Sequence, residues 1–257
     1  MLAVAREDVR KAWSDVQYWA PVEFGYGNVK IAVVGLGYVG LPLAVALAGK
    51  YDVVGFDVDQ GRVTALRNGE DRTGEIAHDR LVASALVVSA NVDDIAASEV
   101  FIVTVPTPVD DKNKPDLSPV LSACKTVGAA LKPGAIVVFE STVYPGVTEE
   151  ICGPALAEIS GLICGEDFYL GYSPERINPG DTEHTIERIT KVVAGQTPEI
   201  AKKLAEMYGA VITAGTFTAV NIKTAEAAKV IENAQRDINI AFINEITTIF
   251  QKLDISA

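Results

Sequence analysis

Lys30-Ile-Ala-Val-Val-Gly-Leu-Gly-Tyr-Val-Gly40 joins an apolar strand to a Gly-x-Gly-x-x-Gly turn, and a helix-like segment over 41–49 follows at once. Each glycine has its own duty in such a turn: Gly35 makes the tight bend, Gly37 lets a pyrophosphate approach the backbone, and Gly40 allows close packing of helix on sheet. With Leu36, Tyr38 and Val39 they form a loop whose backbone N–H groups face phosphates at the helix start. Asp57 ends the next apolar run, Asp52-Val-Val-Gly-Phe56, 22 residues after Gly35, where an acid takes the ribose hydroxyls. A carboxylate there accepts hydrogen bonds from both hydroxyls and repels a 2′-phosphate, so NAD is expected over NADP. Arg62 can soften that preference, or pair with Asp57 or Asp59.

Outward from this turn, short apolar runs alternate with helix-length segments. The runs are Val100-Phe-Ile-Val-Thr-Val105, Ala135-Ile-Val-Val-Phe139, and then 168–171, 189–194 and 210–213, with helices expected at 148–159 and 198–208. Near-continuous apolar strands separated by helices indicate an α/β fold, a doubly wound Rossmann-like parallel sheet of about eight strands covered on both faces. From Phe217 to Leu253 the chain runs without Pro or Gly, which predicts a single helix of roughly 50 Å that bridges domains or subunits. Residues 1–28 hold Trp13, Tyr18 and Trp19 but no chemical motif. The expected partition is an N-terminal extension (1–28), a dinucleotide-binding domain (29–215) and the start of a helical domain (216–257).

Composition narrows the function. The 257 residues carry a formal net charge of −12, which argues against nucleic acid, because a phosphate backbone needs clustered Lys and Arg. No apolar run reaches the roughly 18 to 20 residues of a membrane span, and no secretion signal is evident, so the chain reads as cytoplasmic. Cys124, Cys152 and Cys164 are odd in number and lack metal-ligand spacing; neither disulfide framework nor metal site is expected. His78 and His184 fall outside every motif and read as surface residues.

Three further motifs close strands, at the edge where open α/β sheets bind ligands: Val105-Pro-Thr-Pro108, Glu140-Ser-Thr-Val-Tyr-Pro-Gly146 and Tyr172-Ser-Pro-Glu-Arg-Ile177. Together with Gly-Leu-Gly-Tyr-Val-Gly at 35–40, they resemble the UDP-glucose/GDP-mannose dehydrogenase family over the stretch from Val29 to the C-terminus. Ser173-Pro-Glu-Arg-Ile-Asn-Pro-Gly180 is similar to the branch that oxidises UDP-N-acetylglucosamine and UDP-N-acetylgalactosamine. The resemblance implies a C6 oxidation in two steps, using two NAD molecules in turn, with a cysteine thiolate capturing the aldehyde and water releasing a uronic acid for surface polysaccharide.

Carried over residue by residue, the resemblance makes Thr142 a hydroxyl that holds water beside the cofactor. It makes Glu175 a carboxylate that activates water or orients the reacting group. Lys229 and Asn233, four apart and so on one helix face, become donors to the C6 oxyanion. Pro106 and Thr107 contact NAD, and Arg176 and Ile177 join Glu175, Lys229 and Asn233 around a UDP-sugar. Each has a plainer alternative: Thr142 bonding its own turn, Glu175 paired with Arg176, Lys229 paired with Glu226 or Glu232. Where UDP-glucose enzymes carry a second Glu, this chain has Pro179. None of the three cysteines matches the family nucleophile, which follows the long helix by several tens of residues, so the chain reads as the N-terminal portion of the enzyme. The long helix is expected to make a homodimer. Two other readings compete: a 3-hydroxyacid or 6-phosphogluconate-type dehydrogenase, and a non-catalytic NAD-binding fragment.

Overall fold

The computed structural model describes residues 29–175 and 188–256. Eight strands form one sheet in the order β3-β2-β1-β4-β5-β6-β7-β8: β1 Lys30–Val34, β2 Asp52–Phe56, β3 Val87–Ser89, β4 Val100–Val103, β5 Ile136–Phe139, β6 Tyr169–Tyr172, β7 Lys191–Gly195 and β8 Thr216–Thr218. Strand β1 lies between β2 and β4, both parallel to it, and the strand order reverses there, which opens a crevice at its carboxyl end. Successive β1 side chains enter opposite layers. Ile31 and Val33 join one core with Leu43 and Leu47 of α1 (Gly40–Ala48). Ala32 and Val34 join the other, with Val120 and Val127 of α4 (Ser118–Ala130) and Leu156 of α5 (Gly153–Ser160). A strand buried on both faces needs no polar alternation, which is why Lys30-Ile-Ala-Val-Val34 reads as a continuous apolar run.

Helices α2 (Gln60–Arg67), α3 (His78–Val82), α6 (Pro198–Gly209) and α7 (Ile222–Lys252) complete the element set. The structure departs from the sequence expectations at five places. β7 runs antiparallel to β6, so the sheet is mixed. The three-residue edge strand β3 is too short to leave a recognisable pattern. The expected strand at 210–213 is instead the turn that unwinds α6, with Val211 and Ile212 N–H both on Tyr208 O; the strand comes after Gly215, whose φ of +81° redirects the chain. The long helix therefore starts at Ile222 rather than Phe217, capped by Asn221, whose side chain accepts from Thr224 N at 2.7 Å. Residues 216–218 belong to the sheet. The helix expected over 148–159 divides into a π-helical turn, Val147–Cys152, that runs into α5.

Candidate functional site

The glycine turn is built as its sequence requires. Gly35 has φ of +99°, donates its N–H to Phe56 O at 2.8 Å, and receives the Thr104 hydroxyl on its carbonyl at 2.6 Å. A Cβ on Gly40 would stand 1.9 Å from Gly35 O and 2.4 Å from Thr104 Oγ1, so α1 approaches β4 only because this position is glycine. A Cβ on Gly37 would meet nothing within 4 Å; it faces open space. Helix α1 begins without a side-chain cap, Leu41 N–H bonds Gly37 O at 3.1 Å and Pro42 has no N–H, so the turn rather than the first helical turn carries the backbone donors for a phosphate.

That turn borders a cavity of about 610 Å³ along the carboxyl ends of β1, β2, β4 and β5 and the segment after β6. Of the residues expected to hold a dinucleotide, Gly35, Gly37, Tyr38, Val39, Asp57, Pro106 and Thr107 line it, as do Thr142 and Glu175. The Leu36 side chain instead fills the core, while its N–H bonds Asp57 Oδ2 at 2.8 Å; Asp57 Oδ1 accepts from Asp59 N at 2.9 Å. Each Asp57 oxygen is thereby aimed by one backbone bond and keeps lone-pair capacity for a ribose hydroxyl.

Arg62 does not pair with Asp57 or Asp59. It is buried, with Nε on Leu36 O at 2.9 Å and Nη2 on Asp71 Oδ1 at 2.7 Å. Burial alone would raise the Asp71 pKa, but hydrogen bonds from Thr73, Ile76 and Arg62 outweigh it and hold the carboxyl below the usual range. Arg62 Nη1 and Thr107 Oγ1 are buried without a protein partner. The orphaned Thr107 hydroxyl on the cavity wall, an open backbone at Gly37 and an oriented Asp57 fit a dinucleotide.

Two residues that the motifs did not reveal, Lys191 and Tyr208, join Glu140 and Glu175 of the cavity wall. The Lys191 ammonium stands 2.6 Å from Glu140 Oε2 and 3.4 Å from Glu175 Oε2, and Tyr208 donates its hydroxyl to Glu140 Oε1. Burial pushes the Glu140 carboxyl above its ordinary range, opposed by Lys191. Burial also works to lower Lys191, yet Glu140 and Glu175 outweigh it and leave it raised. The available signal was a lysine leading the apolar strand Lys191-Val-Val-Ala-Gly195.

Lys229 and Asn233 share a helix but not an environment, since Lys229 is buried and Asn233 exposed; neither lines the cavity. Glu226, fully buried one turn before Lys229, does not serve as a lysine partner of the expected kind. Its carboxylate takes Gly146 N at 2.6 Å and Thr148 N at 3.0 Å, tying α7 to the loop that carries Thr142. Arg176, Ile177, Pro179 and His184 lie outside the described residues. Cys124 and Cys152 are buried in the core, and a hydrogen bond with Cys124, together with burial, raises the Cys152 thiol.

A doubly wound sheet with this turn, this acid after β2 and this cleft defines a dinucleotide-binding dehydrogenase. The profile of the UDP-glucose/GDP-mannose dehydrogenase family, NAD binding domain, matches residues 29–212, and that of the same family's central domain matches 223–257. The chain belongs to the UDP-glucose/GDP-mannose dehydrogenase family, and the cofactor of its matched domain is NAD. It is 56% identical over 229 residues to a UDP-N-acetyl-D-glucosamine 6-dehydrogenase of Pseudomonas aeruginosa, and 55% identical over 228 residues to protein CapL of Staphylococcus aureus; each alignment covers 89% of this chain and 54% of the relative. Among solved structures, a UDP-D-ManNAc dehydrogenase from Pyrococcus horikoshii superposes with a TM-score of 0.81 at 35% identity, covering 88% of this chain and 55% of that one. The chain thus spans about half the length of the curated relatives it matches.

Proposed function

We propose that this chain is the NAD-binding and substrate-clamping part of a nucleotide-sugar 6-dehydrogenase that oxidises the C6 hydroxyl of a UDP-N-acetylhexosamine to the uronic acid. The observation that carries the reading is the placement of Thr142 and Glu175 on the wall of the same cavity that the glycine turn and Asp57 line. Identity to UDP-N-acetyl-D-glucosamine 6-dehydrogenases supports the choice of sugar. NAD, when bound, supplies the hydride acceptor.

The chain's own groups do the rest. The Thr142 hydroxyl both donates and accepts, so it relays the proton leaving the sugar alcohol. Glu175 orients water or the reacting carbon's substituents from the cavity wall, with Arg176 and Ile177 beside it around the sugar nucleotide. Lys229 and Asn233 of α7 lie outside the cavity wall; the family resemblance assigns them as donors to the C6 oxyanion, each worth on the order of 3 kcal/mol of barrier when brought to it. Covalent capture of an aldehyde needs a positioned thiolate, and the core thiols Cys124 and Cys152 do not supply it. The protein works in the cytoplasm as a homodimer built on α7, which opens a central helical domain. The product serves surface polysaccharide synthesis.

NADH formation, followed with UDP-N-acetylglucosamine, UDP-N-acetylgalactosamine, UDP-glucose and a 3-hydroxyacid, tests this. An N-acetylhexosamine is expected to be favoured in the first, two-electron oxidation, and completed uronic acid is not expected from this chain; robust uronate in mass spectrometry would show that Cys124, Cys152 or Cys164 captures the aldehyde. Preference for UDP-glucose overturns the branch, and turnover of the 3-hydroxyacid overturns the substrate class.

A further inference from the structure

The antiparallel β7 sets up an arrangement that a wholly parallel sheet would not. In a parallel sheet the first residue of a strand lies at the edge remote from the ligand; reversing β7 brings its first residue, Lys191, to the carboxyl edge of β5 and β6. The β6–β7 register pairs Tyr172 with Ala194, and carried three residues further it sets Glu175 opposite Lys191. The Ser173 hydroxyl, bonded to Val192 O at 2.7 Å, holds the two segments together beyond the strand.

We propose that Lys191 is the positioning residue of this site: its buried ammonium holds Glu140 and Glu175 side by side on the cavity wall and keeps the Glu175 carboxylate available to the substrate. Glu140 and Glu175 both line the cavity, and Lys191 is 5% exposed behind them. A buried ion pair gives weak stabilisation relative to apolar residues of the same volume, so stability alone does not account for a lysine at the head of an apolar strand. Two carboxylates this close do not both ionise without a counter-charge. Lys191 is that charge. Tyr208, with its ring 5.5 Å from Lys191 Nζ and its hydroxyl on Glu140, closes the side toward α6. The groups facing the ammonium are therefore Glu140 from β5, Glu175 from the segment after β6, and Tyr208 from α6.

The role rests on the reading of Glu175 as a group that acts on substrate, and the experiment separates the two. Lys191→Met keeps the aliphatic stem and removes the charge; Lys191→Arg keeps the charge. In the infrared spectrum of the ligand-free chain at neutral pH, K191M is expected to gain one protonated-carboxyl stretch. The band should disappear on adding Glu140→Gln, and K191R should not show it. NAD affinity stays within about threefold, while kcat with UDP-N-acetylglucosamine falls roughly 100-fold at little changed KM, and K191R recovers to within about tenfold of wild type. An unchanged K191M carboxyl spectrum with NAD binding intact overturns the proposal, as does a kcat loss no larger than the loss of NAD affinity. If K191M does not bind NAD, the charge-compensated E140Q/K191M replaces it; kcat within about tenfold of wild type without a protonated-carboxyl band is expected, and a protonated-carboxyl band in that variant overturns the role equally. A wild-type chain that binds no UDP-sugar sinks the functional reading alone, since the infrared result still decides what Lys191 does.

Discussion

Asp57 shows how one residue's duty is legible before its geometry is known. Its distance in sequence from the glycine turn is the ground on which we propose it as the ribose acid, and the structure adds what spacing does not contain: backbone bonds from Leu36 and Asp59 that fix both oxygens. The wild-type chain is therefore expected to bind NAD at least about tenfold more tightly than NADP, about 1.4 kcal/mol, and Asp57→Ala to erase the difference; equal titration curves for the unsubstituted chain would defeat the assignment. Arg62 illustrates the opposite case, because its partner Asp71 is set by the fold of the loop after α2. Asp71 titrates below its ordinary value in the folded chain, so its contribution is present above the unfolded carboxylate pKa of about 3.9 and is lost as pH falls through the lower folded value. Asp71→Asn should accordingly destabilise the chain near neutrality, by about 2 kcal/mol for a carboxylate that accepts several hydrogen bonds. The gap from wild type should narrow in urea titrations below about pH 4, and a gap independent of pH would remove Asp71 from this role.

At the scale of elements, strands with apolar residues on both faces were readable because burial on two sides leaves a pattern in composition alone, as in Val100-Phe-Ile-Val103. Short edges were not: β3 and β8 have three residues each, and pairing with a neighbour, which no local pattern records, makes them strands. The start of α7 was misplaced for the same reason, since Gly-free sequence permits a helix from Phe217 but pairing of Thr216–Thr218 with β7 forbids it. Glu226 then couples this helix to the Thr142 loop through two buried backbone N–H groups. Glu226→Gln leaves one N–H facing an amide NH₂, and it should cost about 2 kcal/mol in denaturant unfolding, with hydrogen exchange accelerated at Gly146 and Thr148. Unchanged exchange at those two amides would show that the loop holds itself.

For the whole molecule, α7 is the element whose sequence asks for more than the described residues give it. Only Ile222, Ala225, Glu226 and Lys229 of its 31 residues are buried, while Ile231, Ile238 and Phe242 are more than 60% exposed. Contiguous apolar surface on one helix marks an interface, so the chain is expected to self-associate at tens of micromolar, and Ile238→Glu with Phe242→Glu should return it to monomer in light scattering; a monomeric wild-type chain with α7 helical would exclude the interface. The sequence by itself determined the doubly wound layout, the glycine turn, the acid at the end of β2 and the strand-end motifs, because these depend on local period, on glycine's missing Cβ and on short spacings. Only the tertiary structure decided the reversed β7, the Glu140–Glu175–Lys191–Tyr208 cluster, the Asp71 hold on Arg62 and the Glu226 clamp. Those join residues 9 to 80 positions apart, and the energy of such contacts resides in burial and pairing across elements, which no segment carries alone.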